Sequence, residues 1–194
     1  MNPALSALLD ELYAQGRAFD ATREDRLDRL RNVEPDTAAL IALLIRATRP
    51  RRVLELGTSN GYSTLWLAEA SAAIGAALVS VDIDAERTAA ARANLERAGL
   101  AGAVELRTQD AADTLARSAA GEWDLVFLDA ERPAYVSYWP DLRRALAPGG
   151  LLIVDNVLSH ADQVADFRAL VDAEPGVHQA LAPTGAGALL VVNA

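Results

Sequence analysis

The chain contains no cysteine among its 194 residues and only two histidines. The lack of cysteine excludes disulfide bonds and thiolate metal sites. It fits a reducing compartment, and we expect a cytoplasmic protein. The N-terminal residues MNPALSALLDEL have neither a basic region nor a small-residue cleavage site. No signal peptide is therefore expected.

The sequence also lacks a long apolar run and an excess of positive charge. Its longest apolar run, AALIALLI at residues 38–45, is too short to span a bilayer and is followed by Arg46. The formal net charge of −9 disfavours a polyanionic partner. Four arginines in residues 46–52 are best interpreted as a solvated helix end. We expect neither a membrane nor a nucleic acid as partner.

Secondary-structure patterns predict one α/β domain over residues 1–194. Residues 3–31 have the apolar spacing of one or two amphipathic helices, and another helix begins near Asp36 or Thr37. Residues 1–50 are thus predicted to form N-terminal helices that cover the ligand-binding site of the core that follows. In residues 51–194, strand and helix alternate five times before a C-terminal hairpin. This order predicts a mostly parallel sheet covered on both faces, with an antiparallel hairpin.

Acidic residues recur at the predicted strand ends. In parallel sheets, ligands bind beyond the carboxyl ends of the strands. Isolated acids at such positions usually cap helices or are solvated, but five strand ends carrying acids favour a binding site. The candidate residues are those from Glu55 to Gly61, then Asp82, Asp110, Asp129 and Asp155 with Asn156.

The stretch ELGTSNGYS is a glycine-rich turn that follows the first core strand and begins a helix. Gly57 and Gly61 do not complete the G-x-G-x-x-G pattern of dinucleotide-binding proteins. Glu55 would repel a phosphate but suits a cationic ligand, and Asp82 can accept hydrogen bonds from a ribose diol. A nucleoside with a positive, phosphate-free tail, such as S-adenosylmethionine, fits better than NAD. The alternative is a purely structural turn.

Several segments together resemble one known family. They are NV at residues 32–33, LELGTSNGYSTLWLA, VSVDID, TQDA, DLVFLDAERPAY and PGGLLIVDNVL. The chain resembles the metal-dependent O-methyltransferases of the catechol and caffeoyl-CoA type, within the class I S-adenosylmethionine-dependent methyltransferases. The resemblance implies a three-layer α/β/α Rossmann-like fold. It also implies a seven-stranded sheet whose last strand is antiparallel.

The resemblance further implies a role for each residue around the cofactor. S-adenosylmethionine would be held through its polar tail, its ribose and its adenine. Glu55 would lie near the ribose or the polar tail, and Asp129 would touch both cofactor and metal. The amino-acid end would be lined by Gly57, Gly61, Tyr62 and Ser63, with Val33 closing over the methionine. Asp82 would bind the ribose hydroxyls, Ile83 would pack on adenine, and Asp110 and Ala111 would flank it.

Asp129, Asp155 and Asn156 match the residues that bind a divalent cation in this family. Two carboxylates and an amide oxygen suit Mg²⁺, with Ca²⁺ or Mn²⁺ as alternatives. Bound metal would lower the pKa of an acceptor hydroxyl and orient it. The alternative interpretation is that these side chains only cap the turns that follow them.

Arg132 departs from the family pattern, which has a lysine base three residues after the first metal-binding aspartate. Arginine cannot act as such a base. Three hypotheses remain: the metal ionises the acceptor and Arg132 stabilises the phenolate, His160 is the base, or the acceptor is not a catechol. Pro133 favours an extended backbone at Arg132, which would turn its side chain away.

The sequence thus predicts an O-methyltransferase acting on a hydroxyl of a small phenolic or catechol-like acceptor. The alternatives are a metal-independent methyltransferase, a catalytically impaired cofactor-binding homologue and an NAD-dependent oxidoreductase. Dimerisation is common in the family, and the apolar N-terminal helices are the candidate interface of a homodimer.

Overall fold

The structure, a computed structural model, describes residues 2–194 and contains seven strands in one sheet. The strand bounds are β1 Arg52–Leu56, β2 Ala77–Asp82, β3 Glu105–Thr108, β4 Trp123–Leu128, β5 Leu146–Val154, β6 Val177–Ala182 and β7 Ala188–Asn193. Their order in the sheet is β3-β2-β1-β4-β5-β7-β6. The pairings among β1 to β5 are parallel, and β7 is antiparallel to both β5 and β6. The predicted seven-stranded sheet with an antiparallel hairpin is confirmed.

Seven α-helices connect and cover the strands. Their bounds are α1 Pro3–Asp20, α2 Pro35–Thr48, α3 Tyr62–Ile74, α4 Ala85–Arg97, α5 Ala111–Arg117, α6 Tyr135–Ala145 and α7 Ala161–Ala173. Short 3₁₀ turns lie at Arg26–Asp28, Ala101–Ala103 and Arg132–Ala134. No helix within residues 2–194 is long and apolar enough to cross a membrane.

The sheet has two apolar faces, because successive side chains of a strand point to opposite sides. On β4, Leu125 and Phe127 pack with residues of α1 to α4, whereas Val126 and Leu128 pack with residues of α5 to α7. Each of these four side chains is fully buried. The alternation therefore produces the three-layer arrangement expected from the sequence.

The N-terminal segment differs from its prediction. One or two helices were expected over residues 3–31, but the α-helix in this range ends at Asp20. The Asp20 carboxylate accepts hydrogen bonds from the backbone N–H groups of Leu30 and Arg31, at 2.7 and 2.9 Å, and so holds the following chain out of the helix. Residues 26–33, called the strap below, consequently fold back as a loop. The next helix has Glu34 as its N-cap residue, not Asp36 or Thr37, because Pro35 suits the first helical position.

Candidate active site

A cavity of about 570 Å³ lies at the carboxyl ends of β1 to β5, where the sequence predicted a ligand site. Its walls come from the loops that follow these five strands, and the strap covers it. Three lining residues that are not glycine have positive φ: Arg31 at 53°, Ser59 at 49° and Asn156 at 66°. Such backbone conformations are strained and cluster at functional sites.

The predicted site residues fall into two groups by position. Those that line the cavity are Val33, Gly57, Tyr62, Ser63, Asp82, Ile83, Asp110, Ala111, Asp129, Arg132, Asn156 and His160. Glu55, Gly61 and Asp155 lie outside the lining. The strand order places the loops after β1, β2 and β3 in one half of the cavity, called the cofactor half below. The loops after β4 and β5 form the other half, called the acceptor half below.

The glycine-rich loop approaches β4 closely at Gly57. Its φ is 109°, and a Cβ atom there would lie 2.2 Å from the backbone oxygen of Asp129. Gly61 begins α3 with a φ of 83°, and a Cβ atom there would lie 2.9 Å from Ala91 Cα. At both positions the positive φ and the close backbone contact leave no room for a side chain. Gly57 faces the cavity, and Gly61 lets α3 pack against α4.

Glu55 is fully buried beneath the cavity floor. Ser63 Oγ donates to its Oε1 at 2.5 Å, and the hydroxyls of Thr64 and Ser80 donate to its Oε2 at 2.5 and 2.6 Å. Burial raises the pKa of Glu55 to about 7, although the three hydroxyl donors oppose the shift. Glu55 does not line the cavity itself, but it holds the hydroxyl of Ser63, which does.

Glu55 is expected to make stability depend on pH. Its pKa of about 7 in the folded protein exceeds the ordinary value of 4.5 for a glutamate. Its stabilising contribution is thus present below pH 4.5 and lost as the pH rises through 7, since the folded protein must release a proton it prefers to keep. Between pH 5 and 8, the unfolding free energy of the wild type should fall by about 2–3 kcal/mol relative to Glu55→Gln. Urea unfolding at both pH values measures this difference, and a pH-independent difference would contradict the assignment.

Asp82 organises the turns around the cofactor half. Its Oδ2 accepts from Ser59 N at 2.7 Å and its Oδ1 from Asp84 N at 2.9 Å. Each carboxylate oxygen has a second lone pair, so Asp82 can still accept from a ligand. The neighbouring Ile83 is an apolar side chain with 71% of its surface exposed. Asp110 caps α5 by accepting from the N–H groups of the second and third residues that follow it.

Asp129, Asp155 and Asn156 converge at the acceptor half, as their strand-end positions predicted. Asn156 Nδ2 lies 3.1 Å from Asp129 Oδ1 and 3.1 Å from Asp155 Oδ2. Asp155 is only 2% exposed, and its Oδ1 has no hydrogen-bond partner. Burial raises the pKa of both carboxyls, and repulsion from Asp129 raises that of Asp155 further. The positive charges of Arg31 and Arg132 oppose the shift in the pKa of Asp129, and that of Arg132 also opposes the shift in the pKa of Asp155, but burial outweighs them.

The three side chains fit a divalent cation. Two carboxylates and an amide are hard oxygen donors, and the orphaned Asp155 Oδ1 is a buried acceptor in need of a positive partner. The amide of Asn156 would present its oxygen rather than its nitrogen to a cation. Within residues 2–194, no three His, Cys, Asp or Glu side chains group closely enough to bind a metal. The amide is therefore the third protein ligand that a cation would require.

Arg132 lies in the acceptor half and is 3% exposed. It begins a 3₁₀ turn, so the predicted extended backbone and outward side chain are wrong. Its Nε donates to Gln163 Oε1 at 2.9 Å, an interaction between distant segments that the sequence did not predict. All 18 lysine and arginine residues are arginine, so no lysine of this sequence can serve as the base.

His160 also lines the cavity and lies beside Ser159, whose Oγ is 2.8 Å from His160 Nδ1. Burial lowers the pKa of His160, and the positive charges of Arg132, Arg26 and Arg31 lower it further. A neutral imidazole can accept a proton. His160 is thus the lining side chain whose chemistry best suits a base.

The strap is a part of the site that sequence reasoning missed. Arg87 donates to the backbone oxygen of Leu27 at 2.6 Å, and Ser59 Oγ donates to that of Leu30 at 2.9 Å. Glu131 forms ion pairs with Arg26 and Arg31, at 3.0 and 2.6 Å. The run EDRLDRLRN carried a signal, since its alternating charges suit loop ion pairs as well as an exposed helix.

Comparisons with known proteins agree with this geometry. A profile of the O-methyltransferase family matches residues 5–181, a range that includes the whole cavity lining. Catechol O-methyltransferase of Mycobacterium tuberculosis is 37% identical over 178 residues, covering 87% of this chain and 76% of that protein. Catechol O-methyltransferase of Niastella koreensis is 35% identical over 158 residues, covering 80% and 71%.

A solved structure extends the similarity to three dimensions. The O-methyltransferase from Bacillus cereus, solved in complex with SAH (S-adenosylhomocysteine), superposes with a TM-score of 0.79 at 27% identity. The superposition covers 97% of this chain and 91% of that one. Sequence and structure therefore both show similarity to O-methyltransferases.

Proposed function

The chain belongs to the S-adenosylmethionine-dependent O-methyltransferases, and we propose that it methylates a hydroxyl of a small phenolic or catechol-like acceptor with the help of a divalent cation. The observation that carries the proposal is the convergence of Asp129, Asp155 and Asn156 beside the cavity bordered by the glycine-rich loop. Mg²⁺ is the proposed cation, because the ligands are oxygens.

In this proposal the cofactor half holds S-adenosylmethionine along its length. Val33, Gly57, Tyr62 and Ser63 contact the amino-acid end, with Glu55 positioning Ser63 and Gly61 setting the start of α3. Asp82 accepts hydrogen bonds from the ribose diol. The exposed Ile83 supports an adenine site, because a flat aromatic ring would remove its apolar surface from water. Asp110 and Ala111 would flank the same ring, and Asp129 would contact both the cofactor and the cation.

Asp129, Asp155 and Asn156 would hold the cation. Bound there, a divalent cation supplies positive charge that favours the ionised form of the acceptor hydroxyl. Arg132 adds a second, permanent positive charge in the acceptor half. His160 takes the acceptor proton. A C–O bond then forms as the C–S bond of the sulfonium breaks, leaving a methyl ether, S-adenosylhomocysteine and a proton on His160.

The proposed base is tested by His160→Gln. Loss of a positioned general base should lower kcat by about 100-fold, while the affinity for S-adenosylhomocysteine stays unchanged. The other histidine offers a matched control, since His178 lies on the exposed strand β6 and His178→Gln should leave kcat at the wild-type value. An unaltered kcat in His160→Gln would show that His160 is not the base. The cation and Arg132 would then be sufficient to ionise the acceptor.

The proposed reaction is tested by mass spectrometry of catechol incubated with the protein and S-adenosylmethionine. We expect a mass gain of one methyl group, loss of product formation with a chelator, and recovery on adding Mg²⁺. Product that persists in the chelator would indicate a metal-independent methyltransferase. Cofactor binding without product from any phenolic acceptor would indicate a catalytically impaired homologue. The cytoplasmic location and the homodimer stay predictions from the sequence.

A further inference from the structure

Three arginines lie in or against the acceptor half, and the methyl transfer as proposed does not fully use them. Arg26 and Arg31 come from the strap and share a single carboxylate, that of Glu131. The Nη1 atom of Arg26 and the Nε atom of Arg31 are buried and have no hydrogen-bond partner. Two guanidinium groups therefore divide one negative charge and retain unpaired donors.

Arg132, the third arginine, has no carboxylate partner within residues 2–194. Its only hydrogen-bond partner there is the neutral side chain of Gln163. Its Nη2 atom is buried and unpaired, although the residue is 3% exposed and lines the cavity. Asp129 interacts electrostatically with Arg132 but forms neither an ion pair nor a hydrogen bond with it. A buried guanidinium donor without a partner is costly, so a ligand that supplies an acceptor would be stabilised here.

The three arginines line the same cavity. Arg26, Arg31 and Arg132 are all lining residues, as is His160. This cluster of positive charge is local, because the whole chain carries a net charge of −9.

We propose that the acceptor carries a carboxylate, which Arg132 binds together with Arg26 and Arg31 while the vicinal hydroxyls lie at the Asp129 side. This inference rests on the proposed function. A guanidinium group matches a carboxylate with two parallel N–H donors, and such pairs are stronger than neutral hydrogen bonds. A neutral catechol leaves those donors unpaired, and a cationic catechol adds repulsion. The acceptor class is thus a dihydroxyphenyl carboxylic acid.

The test compares acceptors that differ in charge. Initial rates are measured with 3,4-dihydroxybenzoate, 3,4-dihydroxyphenylacetate, neutral 4-methylcatechol and cationic dopamine. Calorimetry then gives the Kd of each for the protein saturated with S-adenosylhomocysteine and Mg²⁺. At least one carboxylate should exceed 4-methylcatechol about tenfold or more in kcat/KM and in affinity, and dopamine should be the poorest.

Variants assign the preference to these arginines. Arg132→Gln should reduce the ratio of carboxylate to 4-methylcatechol affinity towards one, whereas Arg132→Lys should retain part of it, because the charge remains. Arg26→Gln is a second variant, on the half-exposed strap, and should lower the same ratio with less risk to folding. Arg117→Gln, at the exposed end of α5, is the matched control and should leave the ratio unchanged.

The outcomes separate this inference from the proposed function. Equal turnover and equal affinity of 4-methylcatechol and both carboxylates would overturn the inference and leave the methyltransferase proposal intact. If no acceptor is methylated, the proposed function fails, and the calorimetric comparison still decides whether a carboxylate binds. A wild-type preference that survives both Arg132→Gln and Arg26→Gln would also overturn the inference.

Discussion

Asp129→Asn is expected to lower kcat/KM about a thousandfold while raising the stability of the metal-free protein. The substitution removes one of two proposed charged ligands, and a catalytic cation contributes several kcal/mol to transition-state stabilisation. The same change relieves the repulsion that raises the pKa of Asp155. The melting temperature without metal should rise by about 2–4 °C for each kcal/mol gained.

Two measurements, the kcat/KM of methyl transfer and the melting temperature, check these opposite effects. Thermal unfolding is recorded with chelator and with Mg²⁺, and Mg²⁺ should raise the melting temperature of the wild type but not that of Asp129→Asn. Asp113→Asn, which replaces an exposed aspartate in the first turn of α5, is the control and should match the wild type in both assays. Equal activity of Asp129→Asn and the wild type would remove Asp129 from the metal site.

Gly57→Ala should lower the affinity for S-adenosylhomocysteine by at least about tenfold. The added methyl group would push the glycine-rich loop away from the end of β4. The new Cβ atom would lie 2.2 Å from the backbone oxygen of Asp129 and 2.8 Å from its carbonyl carbon, at a φ of 109°. Neither atom belongs to a flexible side chain, so the glycine-rich loop or the end of β4 must move. Overpacking of this kind costs about 1–3 kcal/mol, which corresponds to about tenfold or more in binding.

Gly75→Ala is the matched control for this prediction. Gly75 also has a positive φ, 74°, but nothing lies within 4 Å of a Cβ atom there. It should therefore cost about 1–2 kcal/mol of stability from the left-handed backbone alone, with no change in affinity. Calorimetric titration of both variants separates backbone strain from the steric clash. Equal affinities of the two variants would show that the contact between Gly57 and Asp129 is unimportant for cofactor binding.

Much of the fold follows from sequence because its signals are local. Alternating apolar strands and helices specify the layers, and the short connection before Ala188 specifies an antiparallel hairpin. The positions of Asp82, Asp129 and Asp155 follow in turn, because the carboxyl ends of parallel strands meet at one edge of the sheet. Composition and periodicity therefore identify the rim at which the site lies.

The parts that sequence reasoning did not predict depend on contacts between distant residues. The apolar spacing of Leu27 and Leu30 suggested a helix, but Asp20 and Arg87 hold the strap as a loop through hydrogen bonds to its backbone. The turn at Arg132 and its bond to Gln163 join segments 31 residues apart. No local pattern contains such interactions, so the structure was needed to show Arg132 directed into the molecule.

The most direct test of the account is a calorimetric titration with S-adenosylhomocysteine, with and without Mg²⁺ and catechol, and with NAD as control. We expect binding of S-adenosylhomocysteine, no binding of NAD, and catechol binding only when Mg²⁺ is present. Absence of S-adenosylhomocysteine binding by the folded protein would contradict the account. The loop from Gly57 to Ser63 and the carboxylate of Asp82 would then have no ligand that explains them.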